Sequence, residues 1–334
     1  MLKDKLKQLS KRLFGKLVSS QRRKEGINPL KEQSTIQEPP TMSFDQEQPR
    51  INKPIFIVGC GRSGTTLLFQ LLKQHPQLVG TSGYPDGEDH VGWIKHGNCM
   101  ISGFGHPDVN AGQTGFHCCL HMDEKDVTPK IIENMVSYYY HDVLQEDTTK
   151  RVINKCPHLS NKLKYVKAIF PDAKFIHIIR DCLPVVFSWI KVMEDVHSNL
   201  IFYWPYTKYP CFWVMPVPEF DTIKTIFEKE PRIYQENDGE LFVDYWSTVN
   251  RNISIQLQDS ADQLLIIKYE ELTANPLKTL NHICEFCELE QFYDVSIQIH
   301  SNNNEKYKKK LSEKQIKKFL EKSYSTRLHF GYSE

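Results

Sequence analysis

The sequence predicts an α/β protein built on a parallel, doubly wound sheet flanked by helices, and three observations predict it. Short apolar runs at Ile55–Val58, Ala173–Ile179 and Leu264–Lys268 have the length and branched-aliphatic content of strands buried on both faces. Helical stretches follow them, at Thr65–Gln74, Leu183–Val196 and Leu277–Phe286, with a further one at Asn161–Phe170. Strand, tight glycine loop and helix around residues 55–74 make the first half of a βαβ unit, and its recurrence implies a parallel sheet.

Composition bounds the function. The chain has 334 residues, 40% hydrophobic and 25% charged, with a net charge of +1. That is ordinary for a globular protein and lacks the overall basic field of a nucleic-acid binder. Nine cysteines are present, an odd number whose spacings match neither a compact disulfide framework nor a paired zinc motif. The lone CxxC, Cys284 and Cys287, falls in a helical stretch and reads as two small buried hydrophobes. So many unpaired thiols suit a reducing compartment. No apolar run approaches the ~20 residues of a membrane span, and the N-terminus lacks a signal-peptide pattern. The expected location is cytoplasmic, with peripheral membrane contact through residues 1–24 as an option.

Along the chain, residues 1–24 read as a basic amphipathic helix. Leu2, Leu6, Leu9, Leu13 and Leu17 form one apolar stripe, and lysines fill much of the rest. Such a helix could lie on an anionic membrane or dock on a partner, and a poorly ordered basic extension is the plain alternative. Residues 25–52 have the Gln, Glu, Pro and Ser content of a flexible linker, so the folded domain is expected over 53–334. Gly80–Cys119 and Trp204–Glu240 show no clear period and read as long functional loops.

Most informative is Gly59-Cys60-Gly61-Arg62-Ser63-Gly64-Thr65-Thr66, placed directly behind the first strand. It keeps both glycines and the final Thr of the GxxxxGK[ST] phosphate loop, but Thr65 stands at the lysine position. Glycines let backbone amides wrap an anion, and the helix that follows turns its positive end toward it. A kinase needs the missing lysine for its triphosphate tail. Arg62, earlier in the loop, offers a planar fork to a phosphate or sulfonate oxygen. The loop thus predicts a P-loop NTPase-like sheet that holds an anion other than a triphosphate.

The string IFIVGCGRSGTTLLFQLLKQHP resembles the 5′-phosphosulfate-binding segment of sulfotransferases that use 3′-phosphoadenosine 5′-phosphosulfate (PAPS), and is most similar to the tyrosylprotein and carbohydrate branch. Downstream, AKFIHIIRDCLPVVFSW resembles the family's 3′-phosphate segment, which implies that Arg180 and Ser188 grip that phosphate. Arg suits this because its fork bonds two oxygens at once. Taken alone, Arg180 would be expected to pair with Asp181.

Between these motifs, VINKCPHLSNKLKYVKAIFPDAKF is similar to an Asn-Lys segment of the tyrosylprotein enzymes. The likeness implies that Lys155 contacts the bridging oxygen and supports the leaving group. Following an apolar Val-Ile pair and preceding Pro157, Lys155 is expected to end a buried strand. LLIIKYEELTANP resembles the family's YExL strand and helix, bringing in Tyr269, and the closing segment places Ser301 and Lys306 near the nucleotide. Lys308-Lys309-Lys310 reads as a solvated helix face.

The resemblance implies in-line sulfuryl transfer from PAPS to a hydroxyl or amine, releasing 3′,5′-ADP without a metal. The amides around Gly61, Arg62, Ser63, Gly64, Thr65 and Thr66 would hold the phosphosulfate. A general base is also required. In the stretch QLVGTSGYPDGEDHVGW, Glu88 ranks first and His90 second, ahead of Asp86 and Asp89. Two other classes remain: a P-loop nucleotide or metabolite kinase, and a non-catalytic nucleotide-binding protein. The acceptor is open among carbohydrate, small metabolite, lipid and peptide. The aromatic stretch Phe202–Trp213 would suit either a stacked ring or core packing.

Overall fold

A computed structural model of the chain describes residues 49–81, 88–98, 122–196, 201–204, 211–214, 232–233, 239–292, 294 and 305–332. The helix expected over 1–24 and nearly all of the linker expected over 25–52 lie outside the described residues.

The chain begins its sheet at β1 (Ile55–Val58), followed by α1 (Thr65–Leu72), β2 (Leu78–Gly80) and α2 (His90–Lys95). Next come α3 (Pro129–Ser137), β3 (Arg151–Lys155), α4 (Leu163–Ile169), β4 (Lys174–Ile179) and α5 (Cys182–Val196). Three short strands follow, β5 (Ile201–Trp204), β6 (Cys211–Val214) and β7 (Arg232–Ile233). After α6 (Glu240–Gln256), β8 (Leu264–Lys268) leads to α7 (Tyr269–Ala274), α8 (Pro276–Cys287) and α9 (Glu313–His329). The main sheet has five strands in the order β2-β3-β1-β4-β8, and every neighbouring pair is parallel.

Why β1 is uniformly apolar follows from its place in that order. Ile55 and Ile57 pack with Leu68, Leu71, Ile176 and Ile178 on one face. Phe56 and Val58 point to the other, among Trp93, Tyr139, Phe170 and Phe175. A strand covered on both faces favours apolar residues at every position. Phe56 stacks on Phe175 at 5.7 Å and lies 5.9 Å from Phe170, so it ties the central strand to β4 and to the end of α4.

The expected strands and the helices behind them are present within a residue or two at each end. The stretch expected as one helix over 161–170 is divided, with a 3₁₀ turn at Pro157–Asn161 and α4 from Leu163, because Pro157 supplies no amide to a regular helix. Long helix α6 gave no clear signal, since its Asn, Thr, Val and aromatic residues are weak helix formers. Burial decides instead. Leu241, Phe242, Trp246, Val249 and Ile253 all face the core, and buried Asn250 accepts through Oδ1 from the His177 ring at 2.9 Å. Helix α9 carried a readable start, the Ser312–Gln315 capping box. The lysines at 308–310 are exposed, as expected, but stand on and just after a 3₁₀ turn, Lys306–Lys309. Parts of the aromatic stretch form the antiparallel sheet β6-β5-β7. Cys284 and Cys287 are both fully buried free thiols.

Phe56→Ala removes the ring at the crossing of β1, β4 and α4, and is expected to lower the unfolding free energy by about 3–5 kcal/mol. Urea denaturation at fixed pH measures it.

Candidate functional site

In open parallel sheets, ligands bind beyond the C-terminal ends of the strands, where the winding direction reverses. The order β2-β3-β1-β4-β8 puts that reversal at β1. The segments singled out in the sequence leave four adjacent strand ends: Gly59–Thr66 from β1, Lys155 from β3, Arg180 from β4 and Tyr269 from β8.

The glycine loop is held from outside. Ser160 takes both polar groups of Gly59, accepting from its amide at 3.0 Å and donating to its carbonyl at 3.2 Å. Tyr245 accepts from the Gly61 amide at 3.4 Å, and the Trp189 indole donates to the Gly61 carbonyl at 3.2 Å. At Gly64, φ is 96°, in the left-handed region, and an added Cβ would run into the Tyr269 ring. This explains why a glycine is needed there. Helix α1 starts at Gly64 without a side-chain cap. The Ser63 hydroxyl is buried and has no hydrogen-bond partner among the described residues. Free first-turn amides beside a buried, unsatisfied hydroxyl fit an anion-binding loop.

Arg62 also has positive φ, 73°, and its Nε donates to Ser188 Oγ at 3.1 Å. Two residues expected at opposite ends of the nucleotide are therefore neighbours. Arg180 lies over the Tyr269 ring, its guanidinium carbon 4.5 Å from the centroid. Burial lowers its pKa, Tyr269 and Glu270 oppose that shift, and Arg62 adds to it. Asp181 is not the partner of Arg180. Its carboxylate accepts from Arg327 at 2.9 Å, and its own amide donates to Glu270 at 3.1 Å. Glu270 in turn accepts from the Tyr332 hydroxyl at 3.0 Å, which pins the chain's closing residues against β8.

On the other side of the loop, Lys155 ends β3 with its side chain 0% exposed. Its ammonium donates to Glu88 Oε1 at 2.9 Å and to Thr66 Oγ1 at 3.2 Å. Of the base candidates, Glu88 is thus placed beside Lys155. His90 opens α2, and its side chain lies outside the described part of the structure, as do Asp86 and Ser301. Lys306 is exposed on a turn that packs against α5.

Asp89 was ranked low as a base and has a structural position. It is 1% exposed and caps α2, accepting from the Gly92 amide at 3.1 Å and from the Tyr138 hydroxyl at 2.8 Å. Asn154 donates to its other oxygen at 3.3 Å. Burial pushes its pKa to about 7, against the lowering effect of the Tyr138 and Gly92 bonds. Ser160, Tyr245 and Asn154 were all missed as site residues. Only Trp189 carried a signal, its place beside Ser188.

A five-stranded parallel sheet flanked by helices, with an uncapped glycine loop at the switch point, two arginines and a buried lysine, is an α/β fold of the P-loop-like type. Residues 54–201 match the sulfotransferase family model. The omega-hydroxy-beta-dihydromenaquinone-9 sulfotransferase Stf3 of Mycobacterium tuberculosis is 30% identical over 43% of this chain and 47% of its own length. Protein-tyrosine sulfotransferase 1 of Danio rerio is 28% identical over 41% of this chain and 35% of its own. The chain thus spans less than half of each of these two relatives. The sulfotransferase domain of the Synechococcus PCC 7002 olefin synthase has the same fold, with a TM-score of 0.50 and 18% identity over 86% of this chain and 98% of that domain. Among the described residues, no helix is long and apolar enough to cross a membrane.

The raised pKa of Asp89 has a consequence for stability. A carboxyl whose folded pKa exceeds its unfolded one favours the fold when protonated. That contribution is complete below the ordinary carboxylate range and is lost as pH rises through about 7. Asp89→Asn removes it. Wild type is therefore expected to lose about 2–4 kcal/mol relative to Asp89→Asn between about pH 4 and pH 8. Urea midpoints of both proteins across that range check it, and parallel curves would contradict it.

Proposed function

We propose that this protein transfers a sulfuryl group from PAPS to a hydroxyl or amine of its acceptor. The observation that carries the reading is the contact between Lys155 and Glu88 at the open side of an anion loop that lacks the kinase lysine. One group positioned for the leaving oxygen and one positioned for the incoming nucleophile stand together. In-line transfer between two oxygens asks for that arrangement.

PAPS supplies the activated sulfuryl group and a good leaving phosphate. The chain's residues fit it: the buried, unsatisfied Ser63 hydroxyl, the uncapped start of α1 and Arg62 suit the phosphosulfate oxygens. Arg180, stacked on Tyr269, and Ser188 suit the 3′-phosphate, with the exposed Lys306 near the helix that carries Ser188. Lys155 neutralises charge developing on the departing oxygen, a role in which a preorganised donor contributes about 3–4 kcal/mol. Glu88 accepts the acceptor's proton as the acceptor oxygen or nitrogen bonds to sulfur and the bond from sulfur to the phosphate oxygen breaks. Thr66 holds the Lys155 ammonium on the loop side meanwhile. No step calls for a metal. The acceptor class stays among carbohydrate, metabolite, lipid and peptide, and the domain read over 53–334 is the proposed catalytic unit.

Magnesium-free calorimetric titration tests the donor site. 3′,5′-ADP is expected to bind more tightly than 5′-AMP or ATP. Arg180→Ala is expected to weaken it about 30–100-fold, the loss of a charge-assisted phosphate contact. Tighter binding of ATP would overturn the reading in favour of a kinase.

A further inference from the structure

We infer that Asp89 is a positioning residue, which through Asn154 holds Glu88 against Lys155. Two consecutive residues of the segment after β2 meet two consecutive residues at the end of β3. Glu88 contacts Lys155 at 2.9 Å, and Asp89 contacts Asn154 at 3.3 Å. Successive side chains on a strand point to opposite faces. The two contacts therefore grip β3 from both sides, and one cannot shift without straining the other.

The Asp89 rung is itself firmly anchored. Its carboxylate also takes the Gly92 amide and the Tyr138 hydroxyl. Asn154, 0% exposed, uses one amide nitrogen for both Asp89 and the Tyr139 hydroxyl, 3.1 Å away. Tyr139 is itself buried and stacks on Phe170 at 5.1 Å, in the aromatic core beneath the sheet. A chain of bonds thus runs from that core through Asn154 to Asp89, whose neighbour is Glu88.

Asn154 Oδ1 has no partner among the described residues. Inverting that amide would let its oxygen accept from a donor at position 89 and from Tyr139 together. An amide at position 89 therefore preserves the rung, whereas a methyl group deletes it. This separates positioning from charge.

The meaning of the rung for turnover rests on the sulfuryl-transfer reading, but its geometry does not. The test therefore reads the pair directly. Lysine acylation with N-hydroxysuccinimidyl acetate, followed by peptide mass spectrometry, gives the rate at Lys155 relative to surface lysines of the same sample. Glu88→Ala sets the rate with the pair absent. Asp89→Ala is expected to raise Lys155 labelling about tenfold toward that rate, as loss of a capping bond favours local opening. Asp89→Asn is expected to label at Lys155 near the wild-type rate, with 3′,5′-ADP affinity little changed. If Asp89→Ala does not fold, Asn154→Ala, which leaves the α2 cap intact, is read in its place. Wild-type protection of Lys155 in the folded alanine variant, or no effect of Glu88→Ala, would overturn the proposal. Failure of wild type to bind 3′,5′-ADP would instead count against the donor site and leave the labelling result standing.

Discussion

A lysine ammonium with no exposure to water is the constraint around which this site is assembled. Removing a cation from solvent costs several kcal/mol unless partners replace its hydration. Lys155 meets that requirement with Glu88 and the Thr66 hydroxyl. One partner comes from the segment behind β2 and the other from the first turn of α1. Placing the charge at the end of β3 therefore brings three separate stretches of chain to one point. Their alignment follows from satisfying the ammonium, and any geometry that leaves it unpaired is disfavoured by more than most single contacts contribute.

On the opposite flank, charge is arranged with less satisfaction. Burial already works against the Arg180 cation, and Arg62 adds repulsion to it. Tyr269 and Glu270 relieve part of this, while Asp181 is committed to Arg327. With a net charge of +1, the protein as a whole attracts no anion. The attraction is local, made by loop amides and two guanidiniums held close together. Like charges kept near each other cost stability in the empty state, a cost common at binding sites. On the proposed reading, an anion that joins them would remove that repulsion.

Legibility in the sequence tracked the range of the interaction. β1, its glycine loop and α1 are contiguous, and glycine and proline punctuate them, so both fold and chemistry could be read there. β4 stood out as a largely apolar run, as strands covered on both faces are, and β8 stood out by the same pattern although it is the edge strand and Ile266 is exposed. Arg180, Ser188 and Lys155 were found through their positions relative to such runs. Asp89 was found and misjudged. Its neighbours in sequence suggest a solvated turn, and nothing local reveals that Asn154, across the fold, meets its carboxylate. Helix α6 was missed for a similar reason. Its Asn250 disfavours a helix until the buried His177 ring, whose pKa burial lowers to about 4, supplies it with a partner. Ser160 and Tyr245 lie far from the loop in sequence and hold it only once the chain is folded.

Strand order explains how motifs spread over some two hundred residues of sequence act on one ligand. In space the carriers follow the order β3, β1, β4 and β8, with neighbouring strands about 4.8 Å apart. Lys155 and Arg180 therefore flank the glycine loop about 10 Å from each other. A ligand lying on the loop can present one anionic end to β3 and the other to the β4 and β8 side. That polarity also fixes where the second substrate enters on the proposed reading. The arginines and Tyr269 occupy the β4 and β8 side, and Glu88 stands on the β2 and β3 side. The acceptor must therefore approach over β2 and β3, past α2, whose first turn is capped by Asp89. On that reading the group that takes the acceptor's proton and the lysine facing the departing oxygen come from different stretches of chain, and their ion pair is what keeps them aligned.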